Sequence, residues 1–442
     1  MASSLHARVL VVARDDALAG PLSEGLDRLG WRTVTARGPY AAIAALGDLN
    51  VEAVIVDLNS GGAEALTLAR RLKAACAPRH LPVLAIGQPS VENDAHGFDL
   101  TLVAPVHPAQ LVLRLETLVR MAVAEEEFEL RIETFSERGR RLALPEPDPS
   151  PFRILAIGEP APQFLALSNA LARSGAEVVG AFTAYTAFDY LHERPFDGVV
   201  LWAGENSQEA LSIAAGMRRN TRLYHTPALL YMRQESYVTM SEAYHRGISD
   251  VASPETAESE TAKRVIELAR CYRRQTSIRK ALEKARSSGL MDPATGLFTR
   301  DLFALHLNRL AQASRHRNRP LSVCVLKVAD KAEVDQARKG GWLDRAIPQI
   351  GSMIGRLVRV EDTAARLSPE VFALALPATS LVSAKAAGER IAAVIGCTAF
   401  EAGDGKTPFV VDFDIGVAEV SLTEGVGKAL EQAAARAHRQ AS

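Results

Sequence analysis

Arg359 and Asp362 stand three residues apart in the stretch Arg359-Val360-Glu361-Asp362. An arginine offers a planar fork of donors that matches the O6 and N7 acceptors of guanine. A carboxylate three residues on can accept from the N1–H and N2–H₂ donors of such a base. The same spacing also suits a plain surface ion pair. Downstream, Ser368-Pro369-Glu370-Val371-Phe372 carries one carboxylate. Two divalent cations would need several oxygen ligands there. Lys327 ends an apolar run upstream, and an ammonium repels a metal ion. Asp57 closes the apolar run Val51–Asp57, where a carboxylate can cap the loop that follows a strand.

The elements that must position these groups fill a chain of 442 residues, enough for two to four domains. A net charge of -1 argues against an unspecific polyanion binder, and no nucleic-acid role is expected. No apolar run reaches the length of a membrane span, and the first residues do not read as a signal peptide. Cys76, Cys271, Cys324 and Cys397 are far apart and without metal-binding spacing, as expected of reduced thiols in a cytoplasmic protein.

The apolar run over 8–12 reads as a buried strand, and Leu18, Leu22, Leu26 and Leu29 recur at helical spacing. Strands at 51–57 and 81–86 follow, so strands alternate with helices, the pattern of a parallel sheet covered on both faces. The pattern then repeats. Val9 matches Ile154, Asp57 matches Trp202 and Pro82 matches Pro227, each at an offset of 145. Residues 144–151 place four prolines at alternate positions, which favours an extended spacer. Residues 256–288 lack Pro and Gly and read as one long amphipathic helix, whose Arg270, Arg273, Arg274, Arg279, Lys280 and Lys284 are expected on a solvated face. Helices are expected at 300–316, 343–357, 381–395 and 425–439, and strands at 320–328, 370–376 and 409–419.

Both repeats resemble the receiver domain of two-component response regulators. The resemblance implies a phosphoacceptor at Asp57, but the other roles are lost or displaced. Ala13-Arg14 replaces the acidic pair ahead of Asp15 and Asp16, Gly87 replaces the Thr, and Ala104 replaces the Lys before Pro105. In the second copy Trp202, Met232 and Ser253 occupy the acceptor, Thr and Lys positions, so that copy is expected to be unphosphorylatable, with Trp202 serving packing or an interface.

Met291-Asp292-Pro293-Ala294-Thr295-Gly296-Leu297-Phe298-Thr299-Arg300 resembles the opening of the GGDEF domain of diguanylate cyclases. The implied fold class is α/β: two flavodoxin-like, doubly wound receiver domains followed by a mixed-sheet, nucleotidyl-cyclase-like domain. The expected divisions are 1–124 and 152–255 for the receivers, 125–151 for a helix extension and Pro-rich linker, 256–289 for a linker helix, and 290–442 for the GGDEF domain. In that family the first-strand metal ligand aligns with Lys327, and Ser368, Pro369, Glu370 and Val371 stand in the catalytic hairpin. Paired glycines there let the backbone approach a triphosphate; a serine and a proline remove that freedom and one N–H donor. Asp344 matches a guanine-recognising acid, Asp335 stands where the family has Asn, and His438 replaces a phosphate-gripping lysine. No turnover, and no metal in the degenerate site, is expected.

Arg359 and Asp362 match the family's separate inhibitory product site, and Arg390 matches its second arginine. The resemblance places that site at the domain surface and implies cyclic di-GMP as the ligand. The receiver–receiver–GGDEF layout is that of the PleD type of cyclase, which implies a homodimer through the receivers. A dead hairpin beside an intact product site resembles the family's non-catalytic receptors. That resemblance implies a cytoplasmic scaffold that gathers adaptors and substrates of a protease at the cell pole under cell-cycle control. The alternatives are an active diguanylate cyclase and a phosphorylation-driven response regulator.

Overall fold

The computed structural model describes residues 7–440 apart from 59–61, 88–96, 104–105, 144–145, 205–206, 233–239, 404 and 422–424. The Ala104-Pro105 position of the first repeat therefore lies outside the described residues. The first unit comprises β1 (Arg8–Val12), α1 (Asp16–Arg28), β2 (Arg32–Ala36), α2 (Pro39–Asp48), β3 (Ala53–Asp57), α3 (Gly62–Cys76), β4 (Val83–Ile86), β5 (Leu100–Leu102) and α4 (Pro108–Glu137). Its parallel strands run in the order β2-β1-β3-β4-β5. Strands β3 and β4 are buried throughout, which is why they read as unbroken apolar runs.

The second unit repeats the design with β6 (Phe152–Ile157), α5 (Pro162–Arg173), β7 (Ala176–Ala181), α6 (Ala184–Glu193), β8 (Gly198–Ala203), α7 (Gln208–Arg219), β9 (Ala228–Met232), α8 (Met240–His245), β10 (Asp250–Ala252) and α9 (Glu258–Lys284). Its strand order, β10-β9-β8-β6-β7, is the first order read from the other edge. Both are doubly wound receiver-like sheets.

The third unit holds β11 (Phe298–Thr299), α10 (Arg300–Arg317), β12 (Leu321–Val328), α11 (Ala332–Lys339), α12 (Trp342–Leu357), β13 (Thr363–Ser368), β14 (Val371–Pro377), α13 (Leu381–Gly396), β15 (Phe413–Glu419) and α14 (Gly425–Gln440). Its sheet is mixed, in the order β11-β13-β14-β12-β15. The short α11 and the hairpin partner β13 were not foreseen, since neither carries a long periodic pattern. The last strand begins at Phe413, later than expected, because Phe409 instead bridges Phe400 in isolation.

Helix α4 is the element on which the three units meet. Thirty residues make it about 45 Å long. Pro108 opens it, and His107 Nδ1 accepts from the Ala109 N–H. Its first half packs on the first sheet. Arg114, with Arg264 of α9, clamps the buried Asp250 of the second unit. Its second half supplies Phe128 and Phe135 to the core of the third unit, where Phe135 meets Phe298 edge-on at 5.9 Å. Buried Arg319, ahead of β12, bridges Glu52 of the first unit and Glu126 of α4.

Three of the six basic residues of α9 correct an expectation. Arg273 pairs with Asp197, Arg274 with Glu125, and Arg279 donates to the carbonyls of Arg356 and Val358. These three are held by neighbouring groups rather than solvated, whereas Arg270, Lys280 and Lys284 are exposed, as expected.

Candidate functional site

The Arg359–Asp362 motif forms the turn between α12 and β13. Asp362 Oδ2 accepts from the Arg359 N–H at 3.0 Å, and the Asp362 N–H donates to the Arg359 carbonyl at 3.2 Å. The carboxylate thus caps the turn that presents the arginine. It is 8% exposed, and Oδ1 is buried without a hydrogen-bond partner. This corrects the expected surface placement. The turn is overlaid by α4, whose Arg131 donates to the Asp362 carbonyl at 3.0 Å. Arg131 itself is held by Glu127 Oε1 at 2.5 Å, and the same oxygen receives Thr363 Oγ1 and His306 Nε2.

Arg390 comes from α13 and stacks on the ring of Tyr224, its guanidinium 5.3 Å from the centroid, while its buried Nε has no hydrogen-bond partner. The structure therefore brings Arg359, Asp362 and Arg390 into one region, with the 224–225 loop of the second unit beside it. Neither Arg359 nor Arg390 forms an ion pair among the described residues. Burial and the cations Arg279, Arg390 and Arg218 push His225 well below the ordinary histidine range, so it adds no charge here. Burial pushes Glu361 up to about 7, helped by the Asp362 charge, and burial also raises Asp362 against the pull of Arg359. Arg120 of α4 lies within electrostatic reach of Arg359, Glu361 and Asp362. Sequence reasoning missed Arg120, Arg131, Tyr224 and Glu361. Only Glu361 carried a signal, as a second acid inside the motif.

The hairpin of β13 and β14 turns through Pro369 and Glu370, with Leu367 an extra, bulged residue between Arg366 and Ser368. Ser368 pairs with Val371, and Arg366 donates to the Pro369 carbonyl at 3.1 Å. Glu370 is engaged by an arginine that sequence reasoning did not single out. Arg338 of α11 donates to Oε1 at 2.9 Å and to Oε2 at 2.6 Å. It also reaches Asp335 and Asp330, and Lys327 donates to Asp330 at 2.9 Å. The Glu370 bonds hold the Arg338 pKa above its usual value, while the Lys327 and Arg338 bonds hold Asp330 below its own. A carboxylate with both oxygens taken by a guanidinium, next to an ammonium, does not fit a divalent cation. Asp335 is engaged by Arg338, whereas Asp344 and His438 are exposed. Asp292 accepts from Thr295 N–H and Oγ1 at 2.8 and 2.7 Å, which explains the Asp-x-x-Thr spacing at the start of the domain.

In the first unit Asp57 is buried at the carboxyl end of β3, 6% exposed. Asp15 caps α1 through the Ala17 N–H at 2.7 Å, and Arg14 pairs with Glu64. In the second unit Trp202 packs between Phe164 and Tyr231. A Cβ at Gly158 would lie 2.1 Å from that of Trp202, so glycine makes room for the indole. The described residues of the protein contain no helix long and apolar enough to cross a membrane.

Residues 289–441 match the diguanylate cyclase GGDEF domain. The chain is 24% identical over 447 residues to response regulator PleD of Caulobacter vibrioides, with 98% of this chain and 96% of the relative covered. Among solved structures it is similar to the GGDEF domain of FimX from Pseudomonas aeruginosa at 20% identity and a TM-score of 0.31, covering 34% of this chain and 93% of that one. It is also similar to the GGDEF domain of DgcB from Caulobacter crescentus in complex with c-di-GMP, at 21% identity and a TM-score of 0.32, covering 34% and 87%. The chain is thus two receiver-like domains followed by a GGDEF domain, similar from end to end to the response regulator PleD.

Proposed function

We propose that this protein is a non-catalytic receptor for cyclic di-GMP, bound through Arg359, Asp362 and Arg390. The observation that carries the reading is the pairing of charges. Among the described residues Arg359 and Arg390 keep guanidiniums without ion-paired carboxylates, beside a buried Asp362 oxygen that lacks a donor. A guanine edge supplies both acceptors and donors to such a set. At the hairpin, by contrast, Arg338 engages Glu370 and Lys327 engages Asp330, which supports a site unable to hold metal ions. An intact product site beside a degenerate hairpin resembles the effector PopA. That resemblance supports a scaffold which, once loaded, gathers adaptors and protease substrates at the cell pole. The PleD-type layout supports a homodimer through the receivers, which light scattering would detect.

The test is a titration of the purified full chain with fluorescently labelled cyclic di-GMP, with a parallel incubation in GTP and Mg²⁺. Saturable binding without accumulating product is the expected result. Absence of binding, or product formation that disappears in Glu370→Ala, would sink the proposal.

A further inference from the structure

A cavity of about 700 Å³ lies between the first unit and the third, away from both regions described above. The first unit contributes Asn50 and the turn Cys76-Ala77-Pro78-Arg79, α4 contributes Leu130 and Glu133, and the last turns of α10 contribute Arg309, Ala313 and Arg317 among others. Its size is that of a small-molecule site, and clefts between domains are where such sites concentrate.

The lining itself carries three arginines, Arg79, Arg309 and Arg317, and one carboxylate, Glu133. Arg309 is neutralised by Glu133 and Glu137. Glu126 is shared by Arg317 and Arg319, and Glu52 serves Arg319 alone. Arg79 has no carboxylate among the described residues: it donates to Asn50 Oδ1 at 2.6 Å, and its other terminal nitrogen lies 3.5 Å from Cys76 Sγ. Arg309 Nε is buried and makes no hydrogen bond. Arg79 thus borders the space as a cation that no carboxylate among the described residues engages. Leu130, Ala77, Pro78 and Ala313 give it an apolar side.

We infer that this cavity is a binding site for a small organic anion, a phosphate monoester with an apolar body, whose head group is met by Arg79 and Arg309. The phosphate oxygens accept from the guanidiniums, and the body covers Leu130 and Ala313. Such a ligand joins the first receiver-like domain to the third, independently of any dinucleotide at Arg359.

Cys76 reports on occupancy because its thiol borders the cavity, and exposed Cys397 is an internal control. The full chain is labelled with a small maleimide and each site is followed by peptide mass spectrometry. Phenyl phosphate is the probe, with inorganic phosphate and phenol as its two halves. Phenyl phosphate should slow Cys76 labelling saturably, about tenfold at ten times its dissociation constant, and leave Cys397 unchanged. Arg79→Gln should remove the protection, and so should Ala313→Trp, which fills the space and keeps the cations. Protection that never saturates, that either half alone reproduces, or that survives Arg79→Gln overturns the assignment. Absence of protection in the wild-type chain does so as well.

Discussion

Two charged regions of the GGDEF domain lie at either end of one strand, and they differ in how their charges are spent. At the Pro369-Glu370 turn, Arg338 and Lys327 meet Glu370, Asp330 and Asp335 within hydrogen-bonding distance. At the Arg359 turn, Asp362 bonds only a backbone N–H, and the side chains of Arg359 and Arg390 remain without ion pairs among the described residues. The first region satisfies itself; the second holds donors and an acceptor in reserve. The two regions therefore differ in their internal partners and not only in which side chains they contain.

The sharpest way to break this contrast is Arg359→Gly. Charge-assisted hydrogen bonds contribute roughly 1.5–3 kcal/mol each, and two are available to one guanine, so cyclic di-GMP affinity should fall on the order of 100-fold. Arg366→Ala is the control, and calorimetry that found the two variants alike would leave the motif as a turn and nothing more. The reverse experiment opens the closed region. Lys327→Asp combined with Arg338→Ala should free Glu370 and create a Mn²⁺ site with a dissociation constant on the order of 1 mM, which the wild type lacks. If calorimetry shows equal Mn²⁺ binding by both, the internal cations are not what excludes the metal. Asp362→Ala should weaken the dinucleotide about tenfold and also lower the melting temperature, because the carboxylate caps the turn. Arg390→Ala should act on affinity alone and more weakly; the opposite ranking would move the recognition to α13.

The smallest expected effect concerns pH. Glu361 has a folded pKa of about 7 against an ordinary value of 4.5. Between those values the folded chain holds a proton that the unfolded chain has released, so stability falls as pH rises through this window. Glu361→Gln should make the decline in melting temperature from pH 5 to pH 7.5 shallower, and an unchanged slope would place the titration elsewhere.

Local pattern carried much of this molecule. The 145-residue offset marks both receiver-like sheets, and α10, α12, α13 and α14 fall within a residue or so of their periodic runs. The run of α4 through Glu125–Arg131 was readable too, but not its destination. Arg131 meets a carbonyl 231 residues away, and pairings at that separation leave no periodic trace. Arg338 was overlooked for the same reason. Its spacing from Asp335 is a helical one, yet its main partner, Glu370, sits in the turn between β13 and β14. The α9 arginines misled because charge alone does not tell solvent from a neighbouring carbonyl.

Helix α4 also bears on how the chain can be divided. A fragment cut at residue 290 would contain the whole GGDEF sheet but would lose Phe128 and Phe135 from its core. It would leave His306 without Glu127 and Thr134, and Arg319 without Glu52 and Glu126. A buried charge stripped of its partner costs several kcal/mol, a large part of what keeps a domain folded. Autonomy of folding in this protein therefore does not follow the borders of its sequence repeats, and a protease that nicked α4 would loosen all three units together.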